Sequence, residues 1–233
     1  RLTPAEVPYR ANIAALKAAG VTHVLSISAC GSFREALPPG TFVLVDDFVD
    51  RTSRRASSFF GAGCVAHVPF AHPVSPLLVD LVEHAARAEG VPHRRGGTAL
   101  CMEGPQFSTL AESRTHRALG YDVVNMTSMP EAKLAREAEI SYALVAMVTD
   151  FDCWHPSHDR VDVAGVLRVM QDNRDKALRL FARLARDFPP EHPPCPAGSD
   201  RALDGAILTA PGARDPAIVA RLSAVAGRVL GSG

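Results

Sequence analysis

The chain has 233 residues, 47% of them apolar, which is enough for one sizeable α/β domain with a buried core. Lys plus Arg (25) balances Asp plus Glu (25), which argues against a nucleic-acid or anionic-membrane partner while leaving room for a small local anion site. No apolar run reaches membrane-spanning length, no signal-peptide pattern opens the chain, and five scattered cysteines without CxxC spacing point to a reducing cytoplasm rather than a disulfide framework or zinc site.

In chain order, residues 7–19 read as a helix with Ile13, Leu16 and Ala19 on one face, stopped by Gly20. The apolar run 24–28 is short enough for a buried strand and leads into Ala29-Cys30-Gly31-Ser32. A second strand is expected over 41–45, after the turn Pro38-Pro39-Gly40. Residues 76–88 are helical by period, 97–102 a strand, 110–119 a helix and 123–126 another strand. Pro130 sits where a first-turn proline belongs and opens a helix through Ala138. A long apolar strand over 141–149 and a long amphipathic helix over 161–186 follow. The proline-rich stretch 189–198 reads as an irregular connection, and 201–208 and 216–230 as terminal helices. This alternation predicts one α/β domain, a sheet with helices on its faces.

Three strand ends finish in small or polar residues: Ser26 to Ser32, Asn125-Met126-Thr127-Ser128, and Thr149-Asp150-Phe151-Asp152. Ligands of open α/β sheets bind beyond the carboxyl ends of strands. Hydroxyls and exposed backbone N–H groups there can hold a phosphate without a basic patch; ordinary strand-to-loop transitions explain the pattern equally well. Asp150 and Asp152, at i and i+2 of an extended segment, are expected to point the same way. Such a pair can accept hydrogen bonds from a ligand's amino and ring N–H groups, or hold a proton for transfer. A helix or turn cap is the plainer alternative, and no nearby cluster has metal-ligand spacing. Ser108 or Thr109 with Glu112 reads as a capping box, with Phe107 alternatively presenting a ring face to a planar ligand. His67, His72 and His155 are isolated, and neither a hydrolase triad nor a Gly-rich nucleotide loop is visible.

Six stretches occur in order and at family-like intervals: Val7-Pro8-Tyr9-Arg10-Ala11-Asn12-Ile13, Ser28-Ala29-Cys30-Gly31-Ser32, Asp50-Arg51-Thr52, Glu103-Gly104-Pro105-Gln106-Phe107-Ser108-Thr109, Asn125-Met126-Thr127-Ser128-Met129-Pro130-Glu131-Ala132, and Thr149-Asp150-Phe151-Asp152-Cys153-Trp154. Together, over about residues 7–186, they resemble the trimeric purine-nucleoside phosphorylases, in particular the methylthioadenosine branch. The resemblance implies a mixed central sheet flanked by helices and a reversible phosphorolysis of a purine nucleoside, with inorganic phosphate as co-substrate and no cofactor or metal. It implies phosphate contacts at Ser28, Ala29 and Thr127, and nucleoside contacts at Phe107, Ser108, Asn125, Met126, Asp150 and Asp152. Asp150 is the implied proton donor, and Ser108 with the two aspartates favours a 6-aminopurine over a 6-oxopurine. Val163, Val166 and His67 match positions around the 5' substituent, His67 reaching a neighbouring subunit of a homotrimer. Family members carry a further strand and phosphate-binding residues ahead of the position of Arg1, so the chain as given is expected to lack them. Broader purine-nucleoside phosphorolysis, or a non-catalytic nucleoside-binding trimer, are the alternative expectations.

Overall fold

In the computed structural model, which describes residues 2–156 and 163–231, the apolar run ending at Asp150 is an inner strand of a seven-stranded sheet. The strands are β1 (His23–Ser32), β2 (Phe42–Leu44), β3 (Asp47–Asp50), β4 (His93–Arg95), β5 (Thr98–Cys101), β6 (Val123–Asn125) and β7 (Ser141–Asp150). They lie in the order β3-β5-β6-β1-β7-β2-β4. Pairs β1/β7, β2/β4, β3/β5 and β5/β6 are parallel, while β1/β6 and β2/β7 are antiparallel. The sheet is therefore mixed, as expected.

Helices cover both faces. They are α1 (Tyr9–Ala18), α2 (Pro76–Ala88), α3 (Leu110–Ala118), α4 (Ser128–Glu137), α5 (Val163–Asp187) and α6 (Pro216–Leu230). Side chains alternate along a strand, so Tyr142, Leu144, Ala146 and Val148 of β7 join a core with Ile13 of α1 and Leu134 of α4. Ala143, Val145 and Met147 join the opposite core with Leu78 of α2 and Leu180 of α5. Burial on both sides is why β7 reads as one apolar run rather than an alternating one. Each fully buried Leu or Val there contributes about 1.5–3 kcal/mol, and Leu144→Ala costs about 2–5 kcal/mol. Helix starts follow their sequence signals. Ser75 caps α2 ahead of Pro76, Thr109 and Glu112 form the expected capping box of α3, and Asp215 caps α6 ahead of Pro216.

The differences from the sequence reading have physical causes. β3 and β4 carry no hydrophobic signature because they are the sheet's two edges, where short, charged strands resist further pairing. β1 does not end at Ser28. It continues to Ser32 through an irregularity at Cys30/Gly31, where it leaves β7 and pairs with β6 through Gly31↔Val124 and Ser32↔Val123. Residues 201–208 are not a helix. A 3-10 turn at Ser199–Arg201 is followed by turns in which Gly205 takes φ +68°, and Ile207 then bridges to Ala66. The helix expected over 161–186 is present from Val163, and positions 161 and 162 lie outside the described residues.

Candidate active site

The carboxyl-terminal ends of β1, β6 and β7 open onto a cavity of about 300 Å3. Most of the residues singled out from sequence meet there. β1 supplies Ser28 and Ala29; the end of β6 supplies Asn125, Met126 and Thr127; the end of β7 supplies Asp150 and Asp152. Phe107, 51% exposed, and Val166 of α5 complete the wall. Met102, Val124 and Thr149 also line it; Thr149 belongs to a strand end noted from the sequence, whereas Met102 and Val124 carried no signal of their own.

One pole of the cavity is made of hydroxyls. Ser28 Oγ lies 3.5 Å from Thr127 Oγ1 and donates to the Ala29 carbonyl at 3.1 Å. Thr127 occupies the cap position of α4, yet its side chain makes no capping bond. The first N–H groups of that helix are already engaged, Ser128 N–H with Asn125 Oδ1 and Met129 N–H with Cys101 Sγ. With those N–H groups engaged, the polar side-chain groups facing the cavity at this pole are the Ser28 and Thr127 hydroxyls. No Lys or Arg is among the described residues lining the cavity.

The other pole is acidic. The strand ends at Asp150, and Asp152 adopts φ +53° in the following turn, so the aspartates are not successive same-face positions of one strand. A turn brings them together instead: Asp152 N–H donates to Asp150 Oδ1 at 2.8 Å, and Thr149 Oγ1 donates to Asp150 Oδ2 at 2.7 Å. Room for the pair comes from Gly31, where a Cβ would lie 3.0 Å from Asp150 Oδ1 and 3.3 Å from Asp152 Cβ. Asp152 is 3% exposed. Burial pushes its carboxyl above the ordinary value, opposed by the Ser113 and Ser108 hydroxyls, the Cys153 backbone N–H and the charge of His116.

Two buried polar atoms on this wall, Asp152 Oδ2 and Asn125 Nδ2, have no hydrogen-bond partner among the described residues. One is an acceptor and the other a donor, and each costs about 1–3 kcal/mol while unpaired. A ligand that donates towards Asp152 and accepts from Asn125 recovers that energy.

A buried arginine that no sequence pattern singles out holds the frame. Arg55, 2% exposed in its side chain, is paired with Glu103 Oε1 at 3.4 Å. It donates to the carbonyls of Met126 (2.7 Å), Met129 (2.6 Å) and Glu103 (2.7 Å). It thereby ties the 102–104 turn to the 126–129 turn. Gly104, at φ +63°, lets that turn pass Met126, whose Sδ would lie 2.5 Å from an added Cβ. Arg55 belongs to an irregular segment with no periodicity, so only the three-dimensional convergence of carbonyls reveals it.

Three expected residues lie outside the wall. The Ser108 hydroxyl donates to Met102 Sδ at 3.8 Å and neighbours the Asp152 carboxyl, which puts it behind the rim. Val163 is 59% exposed and does not line the cavity, whereas Val166 does. His67 is exposed and held through its backbone N–H to Ala206 O. Among the described residues, no group of three or more His, Cys, Asp or Glu side chains is placed to hold a metal ion.

Residues 2–186 match the family model described as the phosphorylase superfamily. The S-methyl-5'-thioadenosine phosphorylase of Bradyrhizobium diazoefficiens is 67% identical over 99% of this chain and 79% of its own length. The enzyme of the same name from Rhodospirillum rubrum is 60% identical over 99% of this chain and 78% of its own. Among solved structures, a methylthioadenosine phosphorylase from an antarctic soil metagenomic library superposes with a TM-score of 0.90 at 43% identity, covering 97% of this chain and 79% of that one. The methylthioadenosine phosphorylase of Schistosoma mansoni in complex with adenine superposes with a TM-score of 0.78 at 37% identity, covering 82% and 74%.

Proposed function

Since the chain belongs to the phosphorylase superfamily, we propose that it catalyses the reversible phosphorolysis of S-methyl-5'-thioadenosine to adenine and 5-methylthioribose 1-phosphate. It acts as a pentosyltransferase. The observation that carries this reading is one cavity with the Ser28 and Thr127 hydroxyls at one pole and the Asp150/Asp152 pair at the other.

Phosphate rests against the Ser28 and Thr127 hydroxyls and the Ala29 backbone, and no cofactor takes part. A phosphate oxygen forms a bond to C1' while the C1'–N9 bond breaks, its electron pair leaving with the base. Asp150 gives a proton to N7, so the base departs neutral and Asp150 is left as the carboxylate. Met126 lies against the ribose, and Phe107 offers its ring face to the purine.

Base choice follows from the acceptors. Adenine carries a 6-amino donor and no N1–H, and Asp152, with Ser108 behind it, meets the amino group. A 6-oxopurine turns an acceptor towards that acceptor, a mismatch of about 1–3 kcal/mol. Asn125 Nδ2 supplies a donor to the nucleoside. Val166, with Val163 further along α5, borders the 5' substituent.

His67, outside the cavity of its own chain, serves a neighbouring subunit's 5' pocket in a homotrimer. Small molecules, nucleoside and phosphate, are the ligands; balanced charge supports neither a nucleic-acid nor a membrane partner. No helix among the described residues is long and apolar enough to cross a membrane, which together with the unpaired cysteines supports a cytoplasmic enzyme. Adenine release measured from methylthioadenosine, adenosine and inosine, with and without phosphate, tests the proposal. Phosphate-dependent turnover with methylthioadenosine preferred is expected. Preference for inosine removes the base assignment, and phosphate-independent release removes the phosphorylase reading.

A further inference from the structure

Helix α5 buries a single stripe, made of Asn173, Ala177, Leu180 and Leu184, the face that an amphipathic helix lays on a sheet. Asn173 is the first of these from the amino end and is fully buried. Ahead of it, Val163, Leu167 and Met170 are exposed. Val166 lies on the same helical face as Asn173, two turns earlier and about 10 Å along the axis, and lines the cavity. The part of α5 that borders the cavity therefore extends past the core, and the core's hold on the helix ends at Asn173.

That hold is a hydrogen-bonded circuit rather than an apolar contact. Asn173 Nδ2 donates to Val148 O of β7 at 3.1 Å. The same carbonyl accepts Gly40 N–H at 2.9 Å, which occupies both of its lone pairs. Lys176 Nζ, on the next turn of α5, donates to Gly40 O at 3.4 Å and to Asn173 Oδ1 at 3.5 Å. These longer contacts close the circuit, and a cation at Oδ1 leaves Nδ2 as the end of the amide that faces Val148. Three segments meet there: α5, the turn before β2, and β7 just ahead of Thr149 and Asp150.

We propose that Asn173 is a positioning residue that sets where the amino-terminal turns of α5, and with them Val166, stand against the nucleoside. The inference rests on the phosphorolysis reading above, in which Val166 borders the 5' substituent, and adds a residue that does not touch the ligand. When the Asn173 bond is lost, β7 does not yield, because it is paired with β1 as far as Gly31↔Asp150 and with β2 through Phe42↔Met147. The helix yields instead. Asp150, Ser28 and Thr127 lie on β1 and at the ends of β6 and β7 and keep their places. The loss therefore falls on nucleoside binding and spares both the phosphate and the chemical step.

Two measurements test the assignment. Steady-state kinetics of Asn173→Leu, which keeps the size of the side chain and removes its polar atoms, are expected to show a KM for methylthioadenosine raised about tenfold. The KM for phosphate and kcat are expected to stay within about twofold. Leu184→Ala, which loosens the far end of the same stripe, is expected to leave the nucleoside KM within about twofold of wild type. A wild-type nucleoside KM in Asn173→Leu, an equal rise in both KM values, or an equal rise in Leu184→Ala overturns the proposal. Should Asn173→Leu not fold, Lys176→Met breaks the same circuit from a partly exposed position and is read by the same criteria. The second measurement is hydrogen exchange followed by mass spectrometry. In Asn173→Leu the amides of residues 163–170 are expected to exchange about tenfold faster, with those of 177–187 unchanged; unchanged exchange over 163–170 overturns the proposal. A wild type without phosphorolysis sinks the functional reading alone, because the exchange measurement decides the hold on α5 without turnover.

Discussion

Replacing Gly31 with alanine displaces the acidic pair while altering no group that reacts. The added Cβ would lie 3.0 Å from Asp150 Oδ1, 3.2 Å from Val124 Cγ1 and 3.3 Å from Asp152 Cβ. Contacts between carbon atoms are optimal at about 3.5–4.0 Å, so its neighbours must retreat by about 0.2–0.5 Å. Gly31 does not take a left-handed φ, so the effect comes from contact and not from backbone strain. Val124 is packed with Phe33 and Leu100, which leaves the carboxylates to give way. Overpacking of this kind costs about 1–3 kcal/mol, seen as a fall in melting temperature of about 2–12 °C at 2–4 °C per kcal/mol. A 1 Å misplacement costs about a hundredfold in rate, so the retreat here predicts a loss in kcat/KM of about threefold to tenfold. Adenine release, followed by absorbance alongside calorimetric melting, gives both numbers. Wild-type kcat/KM in a folded Gly31→Ala protein refutes the claim that this glycine makes room for an acidic pair that turnover needs.

Other substitutions separate the poles of the site. Asp150→Asn is expected to lower methylthioadenosine turnover by about 10²–10⁴-fold and to raise the inosine-to-methylthioadenosine ratio; an unchanged ratio in a steady-state assay means that Asp150 does not read the base. Thr127→Val is expected to raise the KM for phosphate by about tenfold or more, from losing a hydrogen bond to a charged group, with less effect on the nucleoside KM. Arg55→Met strands three carbonyls and Glu103 in the wall of the cavity, and is expected to destabilise the fold by about 3–5 kcal/mol in denaturant unfolding. Asp152 has a folded-state pKa above its unfolded one, so its contribution to stability is fully present below the unfolded value of 3.8 and is lost as pH rises through the folded one. The melting temperature of Asp152→Asn is therefore expected to gain on the wild type as pH rises from about 4 towards neutrality; a constant difference contradicts the buried-acid description.

Legibility in the sequence follows burial and local signal. β7 and α6 could be read because a continuous apolar run and a Pro-opened amphipathic repeat are local patterns. β3 and β4 could not, because edge strands of three or four residues, largely charged, carry no period. The carboxylate pair was legible as two aspartates at a strand end, but its geometry was not: a left-handed Asp152 folds the chain back onto Asp150. Arg55 and Gly31 were illegible as site residues for a related reason. Each acts by closing distances between segments far apart in sequence, Arg55 across the 102–104 and 126–129 turns and Gly31 beneath residues 150–152. The resemblance named most of the residues that line the cavity, and only the fold showed which polar atoms in its wall are left unpaired.

In a crystal structure of the protein with adenine and phosphate bound, the exocyclic amine of the base is expected within hydrogen-bond distance of Asp152 Oδ2, with N7 facing Asp150 and a tetrahedral anion touching Ser28 Oγ and Thr127 Oγ1. A base bound outside this cavity, or with its amine turned away from both carboxylates, contradicts the assignment of the two poles.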